Sequence, residues 1–307
     1  MAGPRFLLTG ANGFLGTHLL AALRARGLEA WALSRRRPDG LAPDRWLPLD
    51  TAEDAPALRA ALAAAAPDAI LHAAGAATGG PAALYAANAV FAAHLLAAAA
   101  EAAPAARLVL AGSAAECGPL PEAEMPLRED AAPRPRDAYG ISKLAQTHHA
   151  LAALERGQRV VVARLFNFIG PGMPAHLALG AFGRQLAAMP PTGGTLRTGD
   201  LSGERDILPV EAVAGAMLDL ALHPAAQGVV NVCSGQATAM RAVVEELLRR
   251  CPFPVALEEE AGRHGVTAVR RHWGDPSRLH ALGIRPPPPD LPFVLGRFVA
   301  ALGLAAR

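Results

Sequence analysis

Phe6-Leu7-Leu8-Thr9-Gly10-Ala11-Asn12-Gly13-Phe14-Leu15-Gly16 passes from a short apolar run through a Thr-Gly turn into a helical pattern continued by Leu19, Leu20 and Leu23. Three glycines therefore stand where a strand becomes a helix. The first amides of a helix have no partner within it, and with the helix dipole they favour an anion such as a diphosphate. Gly10 permits the tight turn, Gly13 lets backbone approach phosphate, and Gly16 lets the helix close on the sheet. An ordinary strand-turn-helix in a chain with 30 glycines shows the same spacing, so the rest of the chain must decide.

The chain has 307 residues, enough for one large domain or two closely joined ones. Its 52% hydrophobic content comes largely from alanine and overstates the core volume. A formal charge of +2 without a basic stripe or acidic tail points to a small-molecule ligand and away from nucleic acid. No charged-then-apolar leader is expected at the start, and a cytoplasmic location follows. The most apolar segment, Ala86 to Ala103, contains Asn88, His94 and Glu101 and reads as a buried or interface helix, so no membrane span is expected. Cys117, Cys233 and Cys251 are odd in number and lack metal-ligand spacing. They read as reduced thiols acting as small apolar side chains, with no metal site.

Glu29 to Ser34 forms a second strand. In dinucleotide folds an acidic residue near its end holds the ribose hydroxyl that marks NAD. Here the positions are Ser34-Arg35-Arg36-Arg37, whose guanidinium groups suit a 2'-phosphate, so NADP(H) is expected, with NAD(H) as the alternative. A solvated loop in an arginine-rich chain would read the same way. Leu47 to Asp50 is a third strand edge, Asp54 to Ala65 a helix, and Asp68 to His72 a fourth strand running into Ala73-Ala74-Gly75, whose small side chains leave room for a cofactor. Alternating strands and helices of this length predict a parallel sheet covered on both faces. Asn88 begins the alanine-rich helix and is most simply a buried hydrogen-bonding group. Arg107 to Ala111 is the next strand, ending in Gly112-Ser113. The proline-rich passage Pro119 to Arg136 is a loop of the length that usually lies over a site.

Asp137-Ala138-Tyr139-Gly140-Ile141-Ser142-Lys143 then opens a helix to about Glu155. Tyr139 and Lys143 share one face. Lys143 is the sole lysine among 29 lysines and arginines, and Tyr139 is one of two tyrosines. Chance would place a single lysine four residues after a tyrosine on the order of once in a hundred. A compact ammonium beside a phenol favours phenolate, lowering a hydroxyl pKa that starts near ~10. Two solvated residues on a helix surface are the alternative.

The Thr9 to Gly16 motif, Ser113 and the Tyr139/Lys143 pair resemble the extended short-chain dehydrogenase/reductase family, the NAD-dependent epimerases and dehydratases, over nearly the whole chain. The resemblance implies an α/β fold: a Rossmann-type doubly wound parallel sheet with a smaller C-terminal substrate-binding α/β domain. The NADP-binding part would be 1–166 plus about 205–232, and the nucleotide-sugar-binding part 167–204 and 233–307. Ser113 would orient the substrate oxygen, Tyr139 pass the proton, and Lys143 hold the nicotinamide ribose while tuning Tyr139. Cofactor contacts would come from Gly10, Asn12, Gly13, Phe14, Leu15, Gly16, Ser34, Arg35, Arg36, Asp50, Ala73, Ala74, Gly75, Asn88, Tyr139, Lys143 and Phe166. Substrate contacts would come from Ser113, Ala114, Asn167 and Arg205. A homodimer through the alanine-rich helix and the Tyr139 helix is also implied.

Val160 to Phe166 is a sixth strand, and Asn167 to Gly172 leaves it toward the sugar half. Gly199 to Val210 resembles a segment of nucleotide-sugar enzymes whose arginine clamps the diphosphate, a role that falls to Arg205; a surface ion pair of Arg205 with Asp206 is the plainer account. Asn231 to Gly235 and Gly274 to Arg278 resemble the C-terminal half of the same enzymes, and the pieces together look most like reductases of GDP-4-keto-6-deoxy-mannose. Pro286 to Pro289 precedes a last helix, Pro292 to Leu304. Relatives that remove water carry an acidic residue two positions after the Ser/Thr, and fucose-type epimerase-reductases a cysteine. Ala115 can do neither acid nor base work, and Glu116 should point elsewhere if the segment is extended. That leaves simple redox, and the resemblance implies reduction of the 4-keto group of a nucleotide-linked 4-keto-6-deoxy sugar. A nucleotide-sugar 4-epimerase with bound NAD is the alternative, and a non-catalytic dinucleotide-binding module a third. Relatives often have Tyr-Gly where this chain has Cys117-Gly118.

Overall fold

The computed structural model describes residues 3–51, 53–260 and 271–304. Strand β1 (Arg5–Thr9) alternates between two covered faces: Phe6 and Leu8 enter one core and Leu7 the other. Each such side chain contributes about 2 kcal/mol when removed from water. Helix α1 (Phe14–Ala25) buries the stripe Leu15, Leu19, Leu20 and Leu23. Strand β2 (Glu29–Ser34), helix α2 (Ala55–Ala65) and strand β4 (Ala69–His72) follow as expected, with Asp54 capping α2 by accepting from the Ala57 amide, while β3 (Trp46–Pro48) lies earlier than the expected Leu47 to Asp50.

The alanine-rich helix departs from expectation. It starts at Pro81, not Asn88: α3 (Pro81–Tyr85) continues through a π turn at Ala86–Val90 into α4 (Phe91–Ala102). Alanine favours helix at every position, so composition concealed the start, which Gly80 and Pro81 mark. Pro81–Ala102 is long and apolar enough to cross a membrane by length and composition, yet Leu84, Ala92, Leu95, Leu96 and Ala99 are buried in the protein. Here it packs on α2 and on the helix that carries Tyr139.

Strand β5 (Arg107–Ser113), helix α5 (Ala138–Glu155) and strand β6 (Arg159–Leu165) complete the first run. The chain then forms β7 (Asn167–Ile169), α6 (Ala178–Ala187), β8 (Gly194–Thr198), β9 (Glu204–Arg205), β10 (Ile207–Pro209), α7 (Val210–Leu222) and β11 (Gly228–Val232). After these come β12 (Thr238–Ala239), α8 (Met240–Arg249), β13 (Val255–Glu259), β14 (Arg271–His272), α9 (Ser277–Ala281) and α10 (Leu291–Ala301). Asp290 caps α10 through the Phe293 amide, so this helix begins one residue before the expected proline.

The main sheet has the order β3-β2-β1-β4-β5-β6-β11, parallel throughout. Helices α1 and α7 cover one face, and α2, α4 and α5 the other. The strand order reverses between β1 and β4, which opens a crevice at their carboxyl ends. A second core, built from Leu179, Phe182, Leu196, Val243, Leu247 and Phe298, lies in α6, β8, α8 and α10. Of the expected domain bounds, residues 1–2, 52, 261–270 and 305–307 lie outside the described residues.

The 119–136 passage is largely a strap. The Leu127 amide donates to the Trp273 carbonyl and its carbonyl accepts from the Asp275 amide, while Glu129 accepts from the Asn231 amide. Only its two ends, at Gly118, Pro119 and Arg136, reach the cleft described next.

Candidate active site

The crevice opens into a cleft of about 1160 Å³ between the main sheet and the second core. On the sheet side it is lined by the turn Asn12 to Leu15, by Ala73 to Ala76 after β4, and by Ala111 to Ala115. Helix α1 begins at Phe14 with Gly13 as its N-cap and no capping side chain, so its first amides are left for a ligand. Gly10 and Gly16 do not face the cleft. A Cβ on Gly10, at φ +71, would stand 2.5 Å from the Ala74 nitrogen, and one on Gly16 would stand 2.0 Å from the Gly10 carbonyl oxygen. Both glycines shape the cradle from beneath.

Helix α5 is fixed at its start by Asp137, which accepts from the Gly140 amide. Ser142, fully buried, donates to the Tyr139 carbonyl and accepts from Asn88, and Asn88 bonds both the amide and the carbonyl of Ala76. Asn88 is thus the buried hydrogen-bonding group expected, and it ties the π turn to the floor of the cleft. Tyr139 is half-buried, and its hydroxyl is hydrogen-bonded with the Ser113 side chain. Lys143 is 5% exposed and donates to the Ala111 carbonyl at 2.5 Å and to Gln146 Oε1 at 2.6 Å.

The electrostatics differ from expectation. Burial raises the Tyr139 pKa, and Glu116 and Asp137 push the same way, while only the Ser113 hydrogen bond opposes them. The ammonium is turned to Ala111 and Gln146 and is not among the influences on the phenol. Tyr139 is therefore held neutral, as a proton donor must be. Burial in turn lowers Lys143 to about 8, against which Glu116 acts.

A second departure concerns residues 114–117, which form a 3₁₀ turn and not extended chain. Ser113 accepts from the Ala115 amide while Glu116 folds back to accept from the Ser113 amide, a reciprocal cap. Glu116 is wholly buried away from the cleft, and Ala115 presents a methyl group.

On the opposite wall, Asn167, Arg205, His272, Met173 and His176 line the cleft. Asp206 does not pair with Arg205. It points inward and accepts from Ser234, Gly235 and Gly274, pinning three segments, while the Arg205 guanidinium faces the cleft and donates to the Glu204 carbonyl.

Residues 6–233 match the family described as the NAD dependent epimerase/dehydratase family. The chain belongs to that family. It is 36% identical over 166 residues to a GDP-6-deoxy-D-mannose reductase of Pseudomonas aeruginosa, a match that spans 53% of this chain and only 55% of that protein. It is 34% identical over 277 residues, 89% of this chain and 86% of the other, to a dTDP-6-deoxy-L-talose 4-dehydrogenase (NAD(P)(+)) of Kitasatospora kifunensis. Among solved structures, RMD from Pseudomonas aeruginosa complexed with NADPH superposes with a TM-score of 0.82 at 28% identity, covering 98% of this chain and 99% of that one.

The structure draws Asn12, Gly13, Phe14, Leu15, Ala73, Ala74, Gly75, Asn88, Ser113, Ala114, Tyr139, Lys143, Phe166, Asn167 and Arg205 into the walls of this epimerase/dehydratase-family cleft. Ser34, Arg35, Arg36 and Asp50 stand outside its lining. Asp50 is exposed beyond β3; Arg35 and Arg36 are exposed beyond β2, where Asn12 and Ser34 both donate to the Arg36 carbonyl and so tie that loop to the glycine turn. His272 was not legible in advance, although it stands two residues before the Gly274-Asp275 motif. Beside Arg205 and 5.4 Å from the Phe166 ring, its pKa falls to about 4, chiefly by burial and then by the Arg205 charge.

An unfolded histidine titrates near ~6.5, so as the pH falls below that value the unfolded chain takes up a proton that His272 refuses until about 4. His272 therefore costs stability as the pH drops, by about 2 kcal/mol at pH 5. His272→Asn should lose about that much less than the parent between pH 7.5 and 5 in urea unfolding. Equal losses would show that His272 is protonated in the folded protein.

Proposed function

We propose that this chain reduces the 4-keto group of a nucleotide-linked 4-keto-6-deoxy sugar with NADP(H) in the cytoplasm, with Tyr139 as the proton donor. The observation that carries it is the bonded pair of Ser113 and Tyr139 hydroxyls, with the phenol held neutral, on the floor of the cleft beside the uncapped start of α1. The glycine cradle and the free amides of α1 fit a dinucleotide diphosphate, and Ala73 to Gly75 leave space along the carboxyl end of β4. When bound, NADPH supplies the hydride that reaches the carbonyl carbon.

Ser113 orients the carbonyl oxygen by hydrogen bond, and Tyr139 gives its hydroxyl proton to that oxygen as negative charge develops there. Lys143 adds a positive charge beneath them. Arg205 holds the sugar nucleotide's diphosphate by its guanidinium fork, and Asn167 lies near the sugar. Dehydration needs an acid or base at carbon; Glu116, the carboxyl next to Ser113 in the turn, is buried below the floor, and Asp137 is engaged in capping α5. For NADP over NAD, the support is the segment Ser34 to Arg37, anchored beside the glycine turn and without a carboxylate among its four residues. The cofactor-bearing part is 1–166 with about 205–232, and 167–204 with 233–307 bears the sugar nucleotide. Two copies pair through α3, α4 and α5, where Tyr85 is 44% and Ile141 50% exposed.

Tyr139→Phe should abolish NADPH oxidation with a panel of 4-keto-6-deoxy sugar nucleotides while NADPH affinity stays within a few fold; retained turnover would defeat the assigned role. Arg35→Ala and Arg36→Ala should weaken NADPH by about ten-fold or more and NADH little, by fluorescence titration, and equal weakening would remove the case for NADP. Light scattering should give twice the 31.6 kDa chain mass. A monomer contradicts the pairing.

A further inference from the structure

Beneath Ser113, Tyr139 and Lys143 lies a buried charge cluster that the reaction does not itself use. Glu116 Oε1 accepts the Ser113 amide at 2.8 Å, and Oε2 accepts the Thr147 hydroxyl at 3.0 Å. Arg164 Nε stands 3.6 Å from Oε2, with side-chain exposures of 4% for Arg164 and 0% for Glu116. Burial pushes the Glu116 carboxyl up, while Arg164, the Ser113 amide, Lys143 and the Thr147 hydroxyl hold it down. Lys143 bonds the Ala111 carbonyl, one peptide along β5 from Gly112. A Cβ on Gly112 would stand 3.0 Å from Glu116 Oε1. Two basic side chains and one carboxyl are therefore gathered in the buried layer at the floor of the cleft. Facing them are His72 from β4 toward Lys143, and Tyr139 and Cys117 toward Glu116, with Asp137 beyond Tyr139.

We infer that Glu116 is the positioning residue of this site: its carboxylate fixes the turn that presents the Ser113 hydroxyl and supplies the counter-charge that keeps the buried Lys143 an ammonium. A buried charge stripped of its partner is strongly disfavoured, and the group that can shed its charge does so. Arg164 cannot lose its proton, whereas Lys143 can. Without Glu116, Lys143 would lose the influence that holds its charge against burial, and it is the cation of the cluster that can yield. Burial alone has already brought Lys143 to about 8, and Glu116 is the influence that opposes it. The inference rests on the reductase assignment only in its kinetic arm.

The chain tests itself, because Lys143 is the sole lysine and a chain carrying ¹³C-lysine shows one side-chain signal. Titrating that signal should give a midpoint near about 8 in the parent. Glu116→Gln keeps the size and both hydrogen bonds while removing the charge, and the midpoint should fall by about one pH unit or more. Thr147→Val removes a hydrogen bond and no charge, and should leave it in place. Where Glu116→Gln does not fold, Glu116→Met, of like length and without charge, carries the same test, and the midpoint should again fall. An unmoved midpoint in the folded variant overturns the proposal. With NADPH and a 4-keto-6-deoxy sugar nucleotide, Glu116→Gln should lose about ten-fold or more in kcat near pH 7.5, and its pH optimum should move down with the lysine midpoint. A moved midpoint with kcat and pH profile unchanged would sink the positioning role. Should the parent reduce no sugar on the panel, that failure belongs to the proposed reaction, and the lysine midpoint still decides this one.

Discussion

An ammonium taken out of water constrains this molecule more than any other single group. Lys143 has three donors and no acceptor, so each contact it makes must be an oxygen supplied by a neighbouring element. The Ala111 carbonyl at the end of β5 and the Gln146 side chain one turn along α5 supply two of them, and Gln146 bonds the same carbonyl. That shared carbonyl fixes how far α5 sits from β5. The distance in turn sets where Tyr139 meets Ser113. Asn88 repeats the device from the other side, joining the π turn, the Ala76 backbone and Ser142 through one amide. A π turn here puts a polar side chain where a regular helix would have carried it around the axis.

Much of this was legible because periodicity reports burial. Phe6 to Leu8 alternate into two cores, and the Leu15 to Leu23 stripe is buried as its spacing requires. The Tyr139 and Lys143 pairing stood out through rarity, a signal that belongs to composition as much as to motif. What was hidden has physical causes. Alanine runs carry no boundary signal, which displaced the start of the helix before Asn88. The direction of the Tyr139 shift could not be read from a four-residue spacing, since that spacing says two groups share a face and nothing about which carbonyls lie closer to the ammonium. Glu116 looked like extended chain beside Ser113, whereas its reach back to the Ser113 amide makes the segment a turn.

Arg205 and Asp206 show why adjacent charged residues need not form a pair. They belong to a short extended segment, so their side chains leave on opposite faces. Asp206 spends its oxygens on the amides of Ser234, Gly235 and Gly274, joining the end of β11 to the segment before α9. Burial pushes its carboxyl up and those amides hold it down. The guanidinium is left for the cleft, where the same burial lowers its pKa. A buried acid that anchors the wall thus leaves its neighbour facing the cleft.

The use of lysine at one position and arginine at every other basic one follows from the same electrostatics. A guanidinium at position 143 would bring five fixed donors into a space that offers the Ala111 carbonyl and one amide oxygen, and it could not give up its charge to relieve the shortfall. An ammonium has fewer donors to satisfy, and it can answer to burial and to the field of Glu116. Arg164 suits its own position for the converse reason: beside a carboxyl that burial pushes up, a permanently charged partner holds it down. One cation that can shed its proton and one that cannot thus stand around a single buried carboxyl, and burial acts on the first.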